Sequence, residues 1–191
     1  MSEASQVALI GGSFNPPHVG HLLAAHFVRA TTACDQVWLV PSFRHPFGKP
    51  LVDFHHRAGM CRMLCDDASG WLGVSEVERE LGGEGRTVDL LEHLVKAYPR
   101  TRFTLVIGSD ILADLPHWKD PARIEQLADL LVLNRAGHPS PRAFGPPLAE
   151  VSSTHVRELL ATGGDARGLV PGKVLEYAQR HHLYRQNSMP K

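Results

Sequence analysis

The chain has 191 residues, with 20 Lys+Arg balanced by 20 Asp+Glu, and this zero formal charge argues against general nucleic-acid binding, which draws on a basic excess. Hydrophobic residues at 43% and charged residues at 21% are ordinary globular usage, enough for one domain with a real core. The three cysteines, Cys34, Cys61 and Cys65, read as reduced thiols in a cytoplasm; no leader peptide is evident, and no apolar run reaches the roughly 18 residues of a membrane span.

Apolar runs alternate with helical patterns from start to end. Residues 7–11 read as a buried strand and 19–30 as a helix. Residues 37–41 are a second strand, stopped by proline. A helix over 53–68 carries Phe54, Ala58, Cys61, Cys65 and Ala68 at spacings of four and three. A third strand is expected at 71–77, a helix at 87–97 and a fourth strand at 103–107. Short helices at 110–115 and 121–128 lead to a fifth strand at 130–133. Residues 136–147, rich in Pro and Gly, read as a loop before a short strand at 148–151. Helices at 154–161 and 171–181 close the chain; 1–186 is expected to be a single domain and 187–191 a frayed tail.

This alternation predicts an α/β chain with a doubly wound parallel sheet, covered on both faces, followed by C-terminal helices. Such sheets bind ligands beyond the carboxyl ends of the strands, where the strand order reverses. The unusual polar segments obey that rule. GGSFNPPHVGH follows the first strand, SFRHPFGK the second and GSD the fourth, while GRT comes later after the third and Asn134-Arg135 follows the fifth.

The segment from Gly11 to His21 carries the chemistry. Gly11 and Gly12 let the backbone turn and approach a ligand. Pro16 and Pro17 stiffen the loop before a helix. His18 and His21 stand three apart at that helix's start, where free N–H groups and the helix dipole already attract anions. Two imidazoles there form a donor pair suited to phosphate oxygens. The bland alternative is a strand–turn–helix junction with incidental histidines. GxxxxGK[ST], GxGxxG after this strand, and HExxH are all absent, so a P-loop, the usual dinucleotide fingerprint and a zincin site are not supported.

GGSFNPPHVGH resembles the GG[ST]F[DN]PxHxGH signature of bacterial nicotinate (or nicotinamide) mononucleotide adenylyltransferases. GSDILADLPHW, VSSTHVRELL and LVPGKVLEYAQRHHLY resemble further segments of that family, so the likeness runs from about Val7 to Tyr184. It implies a Rossmann-like nucleotidyltransferase that moves adenylyl from ATP to nicotinate (or nicotinamide) mononucleotide, giving deamido-NAD (or NAD) and pyrophosphate. A phosphopantetheine adenylyltransferase, a cytidylyltransferase or a non-catalytic nucleotide sensor is the alternative.

By the same resemblance, His18, His21, Lys49 and Arg157 are the catalytic candidates. ATP would meet Gly11, Gly12, Ser13, Phe14, His18, His21, Gly108, Asp110, Arg135, Ser153 and Arg157. The mononucleotide would meet Asn15, His45, Lys49, Arg86, Thr87 and Trp118, with Trp118 stacking on the pyridine ring. Whether His45 or Lys49 serves the second-loop phosphate role stays open, and a solvated basic loop is the plainer reading. Arg86 stands where the family commonly has tyrosine; an arginine there would favour a carboxylate if it points inward. For Ser153 and Arg157 the plainer reading is a helix cap beside a surface arginine, and for Trp118 a packing residue. Mg²⁺ is expected mainly on the ATP phosphates, with no protein metal ligand assigned. Cys61 and Cys65 read as core, and at least one of each pair His55-His56 and His181-His182 as helix surface. The preference between the two mononucleotides and any homo-oligomer are left open.

Overall fold

The computed structural model describes residues 5–44, 48, 50–66, 68, 70–82 and 84–185. His45, Lys49 and the expected tail at 187–191 lie outside the described residues. In chain order the elements are β1 (Ser5–Gly12), α1 (Val19–Thr31), β2 (Gln36–Pro41), α2 (Phe54–Cys65), β3 (Leu72–Val74), α3 (Val77–Leu81) and α4 (Thr87–Ala97). Then come β4 (Thr101–Gly108), a 3-10 turn (Leu115–His117), α5 (Pro121–Leu127), β5 (Asp129–Arg135), β6 (Ala143–Leu148), α6 (Ser153–Thr162) and α7 (Gly172–Arg180).

The six strands form one all-parallel sheet in the order β3-β2-β1-β4-β5-β6. The order reverses beside β1, which pairs with β2 on one side and β4 on the other. This opens the crevice at the carboxyl ends of β1 and β4. Along β1 the side chains alternate between two cores. Val7 and Leu9 pack with Val88, Leu91, Phe103 and Ile124, whereas Ala8 and Ile10 pack with Ala25, Val28, Leu39 and Cys61. Both faces are covered, which is why the strand reads as an unbroken apolar run. A third cluster, including Met60, Val156, Val174 and Tyr184, joins α6 and α7 to α2.

Local chemistry ends the helices where expected. Asp120 caps α5 by accepting from the Arg123 N–H at 3.1 Å, with Pro121 opening the helix. Ser152 caps α6 by accepting from the His155 N–H at 3.1 Å, and Gly163 at φ 73° closes it.

Three expectations change. The third strand is only Leu72–Val74, because Val77 turns into α3 and buries its side chain against the core of the α4 face. The helix expected at 110–115 is a series of turns ending in the 3-10 turn; so short a run cannot repay nucleation. The loop expected at 136–147 contains most of β6, and the strand expected at 148–151 ends at Leu148. Pro146 and Pro147 are tolerated there because β6 is a sheet edge. No helix among the described residues is long and apolar enough to cross a membrane.

Candidate active site

The crevice opens into a cavity of about 1320 Å³, larger than the usual small-molecule pocket and roomy enough for two nucleotides side by side. Gly11, Gly12 and Ser13 from the end of β1, and His18 and His21 from the start of α1, line one wall. Gly108 and Asp110 after β4, with Arg135 of β5, line another. Arg86 and Thr87 at the head of α4, together with Trp118, line a third.

The two histidines form a stacked pair with ring centroids 3.8 Å apart. His18 occupies the cap position of α1 in extended backbone and is only 4% exposed. His21 Nδ1 accepts from the His18 backbone N–H at 3.2 Å, which leaves the His21 proton on Nε2. His18 Nδ1 is buried and has no hydrogen-bond partner among the described residues. Burial, then the charge of Arg135, pushes His18 down to about 4. Burial, then His18 and Arg135, holds His21 well below its ordinary value. Both rings are therefore neutral near pH 7 in this state, each keeping one N–H to donate. Gly20 makes the stack feasible: a Cβ there would meet the His18 ring at 3.0 Å.

The loop joining β1 to α1 is fixed by donors from four other segments. The Ser42 N–H donates to the Gly12 carbonyl at 2.9 Å. Arg57 donates to the Ser13 carbonyl at 2.8 Å, Arg157 to the Asn15 carbonyl at 2.8 Å, and the Ser153 hydroxyl to the Pro16 carbonyl at 2.9 Å. Asn15 Oδ1 accepts from the Tyr184 hydroxyl at 3.0 Å and from the Val52 N–H at 3.4 Å. The Ser13 and Asn15 carbonyls accept from Arg57 and Arg157, which lie outside the cavity lining.

Three residues expected at the ligand take part in this scaffold. Phe14, fully buried at φ 47°, belongs to the α1-side core and does not line the cavity. Asn15 is 2% exposed and uses its side chain to tie the loop to Tyr184 and Val52, rather than to face a mononucleotide. Arg157 lies outside the lining, on the Asn15 carbonyl and on Thr154 Oγ1 at 3.1 Å. Ser153 does line the cavity, although its hydroxyl proton goes to Pro16.

The remaining walls carry charge and an aromatic face. Gly108 has no room for a Cβ because the Asp110 carboxylate folds over it. Asp110 Oδ1 is buried without a hydrogen bond among the described residues, 3.6 Å from Arg135 Nε. Arg86 pairs with Glu84. Trp118 is half-buried, so it packs on the α4-side core and faces the cavity at once.

Arg57, Tyr184 and Glu78 escape sequence reasoning. Arg57 and Tyr184 are each 1% exposed. Glu78, also buried, lines the cavity and accepts from the Phe43 backbone, while burial raises its carboxyl above the ordinary value. The available signal for Arg57 was its place on the apolar stripe of α2, between Phe54 and Ala58. Elsewhere, Cys61 is fully buried and burial holds Cys65 at about 11, so neither offers a ready thiolate. His56 bonds the Tyr177 hydroxyl at 2.9 Å, while His55, His181 and His182 are exposed.

Residues 9–159 match the model of the cytidylyltransferase-like family. A Myxococcus xanthus protein named "Probable nicotinate-nucleotide adenylyltransferase" is 58% identical over 184 residues, covering 96% of this chain and 97% of that protein. A relative of the same name from Anaeromyxobacter dehalogenans is 47% identical over 188 residues, covering 97% and 100%. The Plasmodium falciparum nicotinic acid mononucleotide adenylyltransferase complexed with NaAD shares the fold at TM-score 0.80 and 19% identity, covering 94% of this chain and 97% of that one.

Proposed function

The chain belongs to the nicotinate-nucleotide adenylyltransferases of the cytidylyltransferase-like family, and on that premise we propose that it transfers adenylyl from ATP to nicotinate mononucleotide, forming deamido-NAD and pyrophosphate in NAD biosynthesis. The observation that carries this reading is the pair of imidazoles lying ring to ring at the head of α1, in a cavity spanning the reversal of the sheet. Residues 1–186 act as a single domain, and the cytoplasm is its compartment.

The 5′-phosphate of the mononucleotide attacks the α-phosphorus of ATP in line. A phosphorus–oxygen bond forms to it as the bond to the β-phosphate oxygen breaks. The nucleophile is already an anion, so no general base is required, and catalysis becomes positioning and charge stabilisation. His18 and His21 donate to the phosphate oxygens as negative charge shifts toward pyrophosphate. Gly11, Gly12, Ser13 and Ser153 supply the close-approach wall. Gly108, Asp110 and Arg135 take the adenosine end, and Arg157 serves the triphosphate through the loop it braces. His45 or Lys49 of the second loop is the candidate for a further contact to the phosphates.

Thr87, Arg86 and Trp118 take the pyridine, and Arg86, once turned inward from Glu84, would favour a carboxylate over an amide. Mg²⁺ travels with the ATP phosphates and neutralises part of their charge. Among the described residues there is no acidic, histidine or cysteine cluster to hold it. The Asp110 carboxylate, held near Arg135, would suit a water bound to the ion.

Pyrophosphate release from ATP should be faster with nicotinate mononucleotide than with nicotinamide mononucleotide. Release with neither, alongside turnover of phosphopantetheine or of CTP, would move the chain to a sibling activity. Trp118→Ala should weaken mononucleotide use by about 1–3 kcal/mol, roughly 5- to 150-fold in KM, with the KM for ATP little changed. Equal losses for both substrates would remove Trp118 from the pyridine.

A further inference from the structure

The Arg57 guanidinium lies sealed beneath the active site and touches three chain segments that are separate in sequence. It donates to the Ser13 carbonyl at 2.8 Å, to the Val52 carbonyl at 2.8 Å and to the Phe43 carbonyl at 3.4 Å. Ser13 belongs to the loop after β1, Phe43 to the loop after β2, and Val52 to the approach to α2. Phe54 lies under the guanidinium at 5.4 Å. No carboxylate hydrogen-bonds to it among the described residues, so a buried charge is spent wholly on carbonyl oxygens. Such a charge is costly to bury unless it is hydrogen-bonded, and here each of its three nitrogens donates to a backbone carbonyl of the segments that frame the cavity.

We propose that Arg57 is a positioning residue for the phosphate-binding loop: it turns the Ser13 carbonyl away from the triphosphate and holds the loops after β1 and β2 at one separation. Two physical consequences support it. A carbonyl free to swing into the cavity would set its negative end against the phosphates, in a site where charge interactions are poorly screened. A planar fork also fixes two directions at once, which a single ammonium cannot do. Arg57 does not line the cavity, so it acts through the loop and not on the substrate. The inference rests on the adenylyl-transfer reading above.

The test compares wild type, Arg57→Lys and Arg57→Ala for pyrophosphate release with ATP and nicotinate mononucleotide, with thermal unfolding measured in parallel. Arg57→Ala should lose about 10²-fold in kcat, the scale of a lost preorganising donor, with a smaller change in the KM for the mononucleotide. Millimolar guanidinium should restore at least a tenth of the lost rate, while ammonium should not. Arg57→Lys should fold yet keep most of the kcat defect. Wild-type kcat in the folded Arg57→Lys protein overturns the proposal, as does a rate loss that guanidinium leaves untouched. Failure of both variants to fold assigns Arg57 to the core alone and overturns it too. A wild type that releases no pyrophosphate with either mononucleotide brings down the functional reading, and this proposal with it. An active wild type beside an unaffected variant brings down only the positioning role.

Discussion

Alanine at position 18 is expected to lower kcat by about 10²–10³ while leaving a folded protein, because it removes one preorganised donor from the path of the shifting charge. The His18 ring is held by stacking on His21 and by the bare Cα of Gly20, and its Nδ1 bonds nothing among the described residues. The loop above it stays braced by Arg57, Arg157, Ser153 and Tyr184. The effect should fall on kcat more than on the KM for ATP, since the donor meets more negative charge in the transition state than in bound ATP. Steady-state pyrophosphate release, with thermal unfolding as the control for folding, measures it. Undiminished turnover in a folded His18→Ala protein would take His18 out of the chemistry.

The same ring sets an acid limit on stability. His18 titrates at about 4 in the folded chain against 6.5 as its ordinary value. Between those values the unfolded chain binds more protons, so stability falls as pH drops below 6.5, and the loss is complete below the folded pKa. For this one site the loss amounts to about 3 kcal/mol. His21 is depressed in the same direction and adds to it. Denaturant unfolding at pH 7.5, 6 and 4.5 should thus show a steeper acid decline for wild type than for His18→Ala. Identical slopes would show that the ring does not carry this linkage. A bound triphosphate reverses the effect: its charge raises both imidazoles, so nucleotide binding in mild acid should take up protons and protect the fold.

Much of the site was legible as local pattern. The alternation of strands and helices led to the parallel sheet, and the polar segments after successive strands marked the end of the sheet where the cavity lies. His18 and His21 converge because the cap residue of α1 folds over the third helical residue, whose Nδ1 accepts its N–H, a short-range fact. Thr87, Arg86, Trp118, Gly108, Asp110 and Arg135 do line one cavity. Short elements were harder. The few residues of α3, the turns after β4 and the Pro-rich β6 depend on packing more than on periodicity, since propensity over so few positions decides little.

Residue type alone did not show what else these side chains hold. Phe14 and Asn15 sit inside the motif and so suggested ligand contacts, yet one fills the core and the other ties the loop to its surroundings. Arg157 suggested a phosphate fork, but its guanidinium braces the Asn15 carbonyl. Nothing local to Arg57 marks it beyond its place on the apolar stripe of α2.

From its order of residues alone, this chain specified the alternating elements, the place of the loops and the paired imidazoles, because each of those depends on neighbours within a turn or a strand. Only the tertiary structure decided which groups face the cavity and which support it. Tyr184 reaches Asn15 across 169 positions, Arg157 reaches it across 142, and Arg57 reaches Ser13 across 44. Partnerships at such separations follow from how helices pack on the two sheet faces, and a buried donor takes whatever carbonyl that packing leaves within reach.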